Sequence, residues 1–158
     1  DVIRVQEENI DISAELAALT ANNHRIGGIA TFIGTMRDLS DGKDVAAMTL
    51  EHYPGMTEKQ LEAIEREAQA RWTLEASLII HRYGRFEPGD RIVFVATAAP
   101  HRQAALDSCA FLIDWLKTKA PFWKLEETGD GARWVDARDS DEAATARWRN
   151  GAKEPTQT

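Results

Sequence analysis

The sequence predicts an α+β fold with a largely antiparallel sheet. Three observations lead there. Two apolar, β-rich runs, ASLIIHRYG and RIVFVATA, flank the turn-forming FEPGD, which is the arrangement of a hairpin. After Pro100, the segment HRQAALDSCAFLIDWLKTKA carries a broad apolar stripe at helical spacing. Strands and helices are otherwise mixed without the strict βαβ rhythm of a doubly wound sheet. At 158 residues the chain suits one domain with a real core, set at residues 1–150, and GAKEPTQT at 151–158 reads as a flexible tail.

In chain order, VIRVQ alternates like a short strand, and DISAELAALT is a modest amphipathic helix capped by Asp11 or Ser13. After a glycine pair, the β-branched and aromatic residues from Ile29 to Met36 make a strand. RDLSDGKD is a polar loop, VAAMTLEHY a second strand, and Pro54-Gly55 a turn. Thr57 and Gln60 fit a capping box, after which Leu61, Ile64, Ala68 and Trp72 recur at helical spacing. The two apolar runs then pair as core strands. In the long helix, Ala105, Leu106, Cys109, Leu112, Ile113 and Leu116 form the stripe, which ends before Pro121. FWKLEET and ARWVDAR are two short strands around GDGA, and DSDEAATARWRN is a last helix capped by Ser140.

The formal net charge is −7, which disfavours a broad electrostatic grip on nucleic acid or an anionic membrane; any anion must be held locally. No apolar run reaches membrane-spanning length, and DVIRVQEENI lacks the basic start and apolar centre of a secretion signal, so a cytoplasmic location is expected. The single Cys109 leaves no internal disulfide framework and no zinc-type cluster; no metal is expected, and the thiol reads as a small buried apolar group. GxGxxG, GxxxxGK[ST] and GxSxG are all missing, so nucleotide binding and serine hydrolysis have no positive signal.

Candidate chemistry concentrates at element ends. His101 and Arg102 open the long helix, where free N–H groups and the positive dipole end favour an anion and an imidazole serves as a proton donor; a solvated helix start explains the same pair. Arg37 ends a strand and Arg138 follows the last one. The stretch KTKAPFWK places three lysines around a proline and two rings. Lys117 and Lys119 have a sufficient structural reason as cations at a helix C-terminus. Spacing separates them: Lys117 follows Leu116 and stands four residues after Ile113, near the buried edge, whereas Lys119 faces elsewhere. Pro121 turns the chain so that Lys124 approaches Lys117, and an ammonium beside apolar walls or another ammonium loses proton affinity and serves as acid, base or nucleophile. His52 and His81, on strands, read as structural histidines.

Together these segments resemble the MoaE family, the large catalytic subunits of molybdopterin synthase. The resemblance runs from about Gly27 to Arg149 through TFIGTMRD, LEHYPGMTEKQL, IIHRYGRFEPGD, the His101-Arg102 pair, DWLKTKAPFWK and RWVDAR, in that order. It implies an α/β hammerhead fold with antiparallel strands. It also implies transfer of sulfur from the C-terminal thiocarboxylate of a small ubiquitin-like MoaD subunit to cyclic pyranopterin monophosphate, giving the molybdopterin dithiolene. No cofactor is implied, because the donor is itself a protein. On this resemblance Lys117 and Lys124 are catalytic, Arg37, His101 and Arg102 bind the anionic substrate, and Arg138 is contributed across a homodimer within a heterotetramer. Lys119 stands where the family accepts Lys or Arg. Phe86 stands where an aliphatic residue is commoner, a change expected to affect packing. The rival reading is a noncatalytic scaffold for a ubiquitin-like partner, which needs neither both lysines nor the HR pair.

Overall fold

Nine strands and three helices, in the order β1-α1-β2-β3-β4-α2-β5-β6-β7-α3-β8-β9, form two sheets in the computed structural model, which describes residues 2–40 and 42–135 with Ala146 and Trp148. The first sheet runs β1 (Val2–Gln6), β5 (Ala76–Arg82), β7 (Arg91–Ala99), β2 (Gly28–Thr35). Only the β1–β5 pairing in it is parallel. Strand alternation sends Ile79, Val93 and Val95 into a core with α2 (Met56–Arg71) and α3 (Arg102–Lys119), and Leu78, Ile80, Phe94 and Ala96 toward α1 (Ile12–Thr20). Both faces of β5 and β7 are therefore covered, which is why their sequences are nearly unbroken apolar runs.

The second sheet runs β3 (Leu39–Ser40), β4 (Lys43–His52), β8 (Phe122–Thr128), β9 (Gly131–Val135), with β6 (Gly84–Phe86) also paired to β4. All its pairings are antiparallel. Met36, Val45, Met48, Leu50 and Phe86 form its core. Phe86 is fully buried there, in keeping with the packing role expected of it. The α+β class and the mainly antiparallel pairing are as predicted.

Several local expectations need correction. β5 and β7 do pair antiparallel, from Ala76↔Ala98 to His81↔Val93, but the link between them is no simple turn. At Gly84, whose φ of 101° suits glycine, the chain crosses to the second sheet and lays β6 against β4 before returning. The polar loop contains β3. Helix α2 starts earlier than a Thr57–Gln60 box requires: Gly55 is its N-cap, at φ 86°, and the Glu58 carboxylate accepts from the Gly55 N–H at 2.6 Å. Thr57 is already inside the helix, buried, with its hydroxyl donating to the Tyr53 carbonyl at 2.8 Å. Asp11, not Ser13, caps α1, accepting from the Ala14 N–H. The helix expected around Ser140 and the tail at 151–158 lie outside the described residues.

The long helix buries a slightly different seam from the one the spacing predicts. Ala105, Cys109, Leu112 and Leu116 are buried, joined by Ala104, Ser108 and Phe111, whereas Leu106 is 56% exposed. The Thr97 hydroxyl donates to the Ala105 carbonyl at 2.7 Å and holds that side of the helix against β7, leaving Leu106 a step too far round. Phe111 is fully buried at the centre, with Trp72, Trp115 and Trp148 packed edge-on at 5.4, 6.0 and 5.5 Å, a burial that contributes about 2–3 kcal/mol. Burial also pushes the Cys109 thiol up to about 11, so it is a packing group, as expected.

The glycine pair before β2 has a steric purpose. A Cβ on Gly27 would lie 2.0 Å from the Pro100 carbonyl oxygen, and one on Gly28 would lie 3.2 Å from the Arg102 Cα. The obstacle at Gly27 is backbone, so relief requires moving β2 away from the start of α3. Gly27→Ala is expected to destabilise the fold by about 1–3 kcal/mol, read as a lower urea midpoint with unchanged slope.

Candidate functional site

A cavity of about 370 Å³ opens where the end of β2, the last turn of α3 and the start of β8 meet. Each side is positioned by a local rule. At the end of β2, the Met36 N–H donates to the Asp90 carbonyl at 2.9 Å and the Met36 carbonyl accepts from the Gly89 N–H at 2.8 Å, which anchors the residue before Arg37. Helix α3 ends at Lys119 because Pro121 has no N–H to continue it, and Ala120 is already extended. The Phe122 N–H donates to the Ala120 carbonyl at 2.8 Å, closing a tight bend into β8.

From there register takes over. In β8, Phe122 pairs with His52, Lys124 with Leu50 and Glu126 with Met48. Alternation places Phe122, Lys124 and Glu126 on one face of the strand, and all three line the cavity. Arg37 and Lys117 line it too, so three cations converge on a space whose apolar wall includes Met36, Met48, Leu50, Ile92 and Leu116. The bend at Pro121 brings Lys117 and Lys124 to one cavity, the outcome expected from KTKAPFWK.

The lysines differ from expectation in one respect. Lys117 is exposed rather than partly buried, because one residue beyond Leu116 the helix surface has already turned from the seam to the cavity's open rim. Lys119 does stand apart: its ammonium lies 5.2 Å from the Trp115 ring centre and away from the cavity lining. His101 and Arg102 are exposed at the opposite end of α3. The fifteen-residue step from Arg102 to Lys117 corresponds to roughly 22 Å of helix, so within one chain this pair does not reach the cavity. Arg138 lies outside the described residues.

Two lining residues were not singled out in the sequence. Glu126, buried against the cationic lining, faces Arg133 at 3.6 Å, an ion pair across the β8–β9 ladder. Its signal was the two-residue step from Lys124. His81, read as structural, stacks on Phe122 with ring centres 3.8 Å apart and planes at 18°. Its Nδ1 is 2.8 Å from the Arg82 carbonyl, which can only accept, so Nδ1 carries the hydrogen and Nε2 the lone pair. Behind Phe122, His52 donates from Nδ1 to the Thr57 hydroxyl oxygen at 3.0 Å, since the Thr57 hydrogen is spent on Tyr53.

Burial is the main cause that lowers the His81 pKa to about 4; the Lys117 and His52 charges lower it further, while the bond to the Arg82 carbonyl opposes the shift. The unfolded chain therefore takes up this proton first, near the ordinary value of 6.5. Stability is complete above that value and is lost as pH falls from it toward 4. Between pH 7 and pH 5 wild type is expected to lose about 2 kcal/mol more than His81→Gln, which has nothing to titrate there, as measured by urea unfolding at both pH values.

Among the described residues no group of His, Cys, Asp or Glu side chains is arranged to hold a metal, and no helix is long and apolar enough to cross a membrane. The family model described as MoaE protein matches residues 5–119. The chain is 56% identical over 146 residues to a molybdopterin synthase catalytic subunit of Ralstonia nicotianae, covering 92% of this chain and 83% of that one. It is equally 56% identical to a molybdopterin synthase catalytic subunit of Pseudomonas aeruginosa, with 92% and 97% covered. Among solved structures, the molybdopterin biosynthesis MoaE protein from Burkholderia ambifaria superposes with a TM-score of 0.80 at 57% identity, over 94% of this chain and 97% of that one.

Proposed function

Since the chain belongs to the MoaE protein family, we propose that it is the catalytic subunit of a molybdopterin synthase, a sulfurtransferase that converts cyclic pyranopterin monophosphate to the molybdopterin dithiolene. The observation that carries this reading is the convergence of Arg37, Lys117 and Lys124 on one cavity in a protein whose net charge is −7. Such a local concentration of cations suits a phosphorylated substrate and an anionic sulfur donor, where a general surface field of this protein would repel both.

The donor is the C-terminal thiocarboxylate of a MoaD-like small subunit. Its sulfur bonds to a substrate carbon as a carbon–oxygen bond at that carbon breaks and the oxygen leaves with a proton, so the carrier is attached as a thioester; water then cleaves the thioester, releasing the carrier as a carboxylate and leaving the sulfur on the substrate, and a second thiocarboxylated carrier supplies the second sulfur in the same way. Arg37 holds anionic oxygen with its forked N–H groups. Lys117 stabilises the oxyanion that develops at the carrier's acyl carbon and exchanges a proton there; Lys124 assists as acid and base or holds substrate. The apolar side of the cavity, formed by Met48, Leu50, Ile92 and Leu116, limits competing water. His101, Arg102 and Arg138 complete the anion site from a second copy of the chain in a homodimer, because the first two are a helix length from the cavity of their own chain. With two small subunits this makes a heterotetramer, and the assembly works in the cytoplasm.

The test combines the purified protein, thiocarboxylated carrier and cyclic pyranopterin monophosphate, and follows sulfur incorporation by mass. A product carrying two added sulfurs, formed only when the carrier bears a thiocarboxylate, is expected. Tight carrier binding with no sulfur transfer would instead mark a scaffold, and turnover without the thiocarboxylate would mark a different transferase.

A further inference from the structure

Ser40, the second residue of β3, lines the cavity, is 4% exposed and has no part in the reaction described above. Its hydroxyl oxygen is closed off from solvent and has no hydrogen-bond partner among the described residues. A hydroxyl buried in this way gives up its bonds to water and gains none in return, which costs stability. Every other buried hydroxyl among the described residues is satisfied: Thr57 on the Tyr53 carbonyl at 2.8 Å, Ser77 on Glu65 at 2.7 Å, and Thr97 and Ser108 on the Ala105 carbonyl at 2.7 and 3.2 Å. Glu126, the other buried polar residue of the lining, already faces Arg133 at 3.6 Å. Ser40 is therefore the exception, and it lies at the cavity.

The strand that carries it folds against its own hydrophobic pattern. β3 pairs with β4 as Leu39↔Asp44 and Ser40↔Lys43, and the Val45 N–H donates to the Asp38 carbonyl at 2.8 Å, so the register is held from both ends. In this register the leucine is 49% exposed and the serine is buried. A slip of one residue would exchange them, taking the leucine in and the serine out. Local rules broken without a compensating contact inside the chain are a mark of functional sites. Arg37, three residues before Ser40, lines the same cavity, so one short segment delivers both a cation and a hydroxyl to it.

We propose that Ser40 is a substrate-contacting residue whose hydroxyl makes its missing hydrogen bond to an uncharged polar group of the pyranopterin ring system. The identity of that ligand rests on the sulfur-transfer reading above. The ring is favoured over the phosphate by the partners each needs. Arg37, Lys117 and Lys124 already supply positive charge for anionic oxygen. A pyranopterin ring is edged instead with N–H groups, a carbonyl and ring oxygen, and a hydroxyl can donate to or accept from any of them. Selectivity follows from the burial. A phosphorylated ligand without a matching ring edge leaves the hydroxyl unpaired when it binds, whereas the right one relieves it.

Two substitutions test this. Ser40→Ala removes the hydroxyl, and Ser40→Cys fills the same space with a poor hydrogen-bonding group, which separates packing from hydrogen bonding. By calorimetric titration both variants are expected to bind cyclic pyranopterin monophosphate about tenfold more weakly than wild type, the scale of one buried hydrogen bond left unmade. Inorganic phosphate, which probes the cations alone, should bind all three proteins within about twofold. Without ligand, Ser40→Ala should raise the urea midpoint, the opposite of what losing a structural hydrogen bond does. Unchanged pyranopterin affinity in both variants overturns the proposal. So does a lowered urea midpoint for Ser40→Ala, which would mark a hydroxyl held by the fold itself or by an internal water. Equal weakening toward phosphate and pyranopterin would move Ser40 to the anion site and overturn the ring assignment. A wild-type protein that binds phosphate but no pyranopterin overturns the sulfur-transfer reading and the ligand named with it, while the urea midpoint still reports whether the hydroxyl is held unpaired.

Discussion

Lys117→Ala is expected to lower the rate of dithiolene formation about 100- to 1,000-fold, the scale seen when one preorganised donor to a developing oxyanion is removed. The side chain sits at the cavity rim on the last turn of a helix whose seam is packed from Ala104 to Leu116. Its backbone therefore survives the substitution, and only the ammonium is withdrawn. Because Lys117 is already exposed, its loss opens no buried void, and the urea midpoint should stay close to that of wild type. Single-turnover sulfur incorporation with saturating carrier gives the chemical step directly. A folded Lys117→Ala protein that binds carrier and transfers sulfur at the normal rate would remove Lys117 from the mechanism.

Lys124→Ala is expected to cost less, about 10- to 100-fold, and to show partly as weaker substrate binding. Its smaller effect does not come from looseness beyond the Pro121 turn, since β8 is paired on both sides at this point, to Leu50 and to Val135. Arg37 and Lys117 remain in the same cavity to offset part of the lost charge. Single-turnover titrations over substrate concentration separate the two contributions. If Lys124→Ala proves more damaging than Lys117→Ala in the chemical step, the two roles are reversed.

What could be read from the sequence follows the range of the physics involved. Strand periodicity, the turn residues and the covered apolar runs are local signals, and they located β1, β2, β4, β5, β7, β8 and β9 to within a few residues. Lys117 was distinguished from Lys119 by helical phase alone, and the cavity lining makes the same distinction. Most of the misses are nonlocal. Nothing near GRF announces that it crosses to pair with β4, because the partner lies more than thirty residues upstream. The exposure of Lys117 depends on the cavity opening beside it, which the helix's own residues do not specify. His81 sits at the end of an apolar strand and looks structural until Phe122, forty-one residues later, is folded onto it. At Gly55, a glycine able to adopt positive φ and a glutamate three residues on outcompeted the Thr57 cap that residue type alone favours.

The bend between α3 and β8 has a further meaning for how this site can vary. A helix counts in steps of 100° and a strand in steps of two, and Ala120 and Pro121 are the only residues between them. Phe122, Lys124 and Glu126 share a face by alternation, and the parity of that count sets which face it is. One residue more or fewer in the bend, taken up as a one-residue slip of β8 against β4, would turn those three side chains to the opposite face of the sheet and bring Leu125 and Glu127 round in their place, beside Trp123. Side chains in this cavity are open to exchange one at a time; the spacing that aligns them behaves as a single digit, either right or inverted.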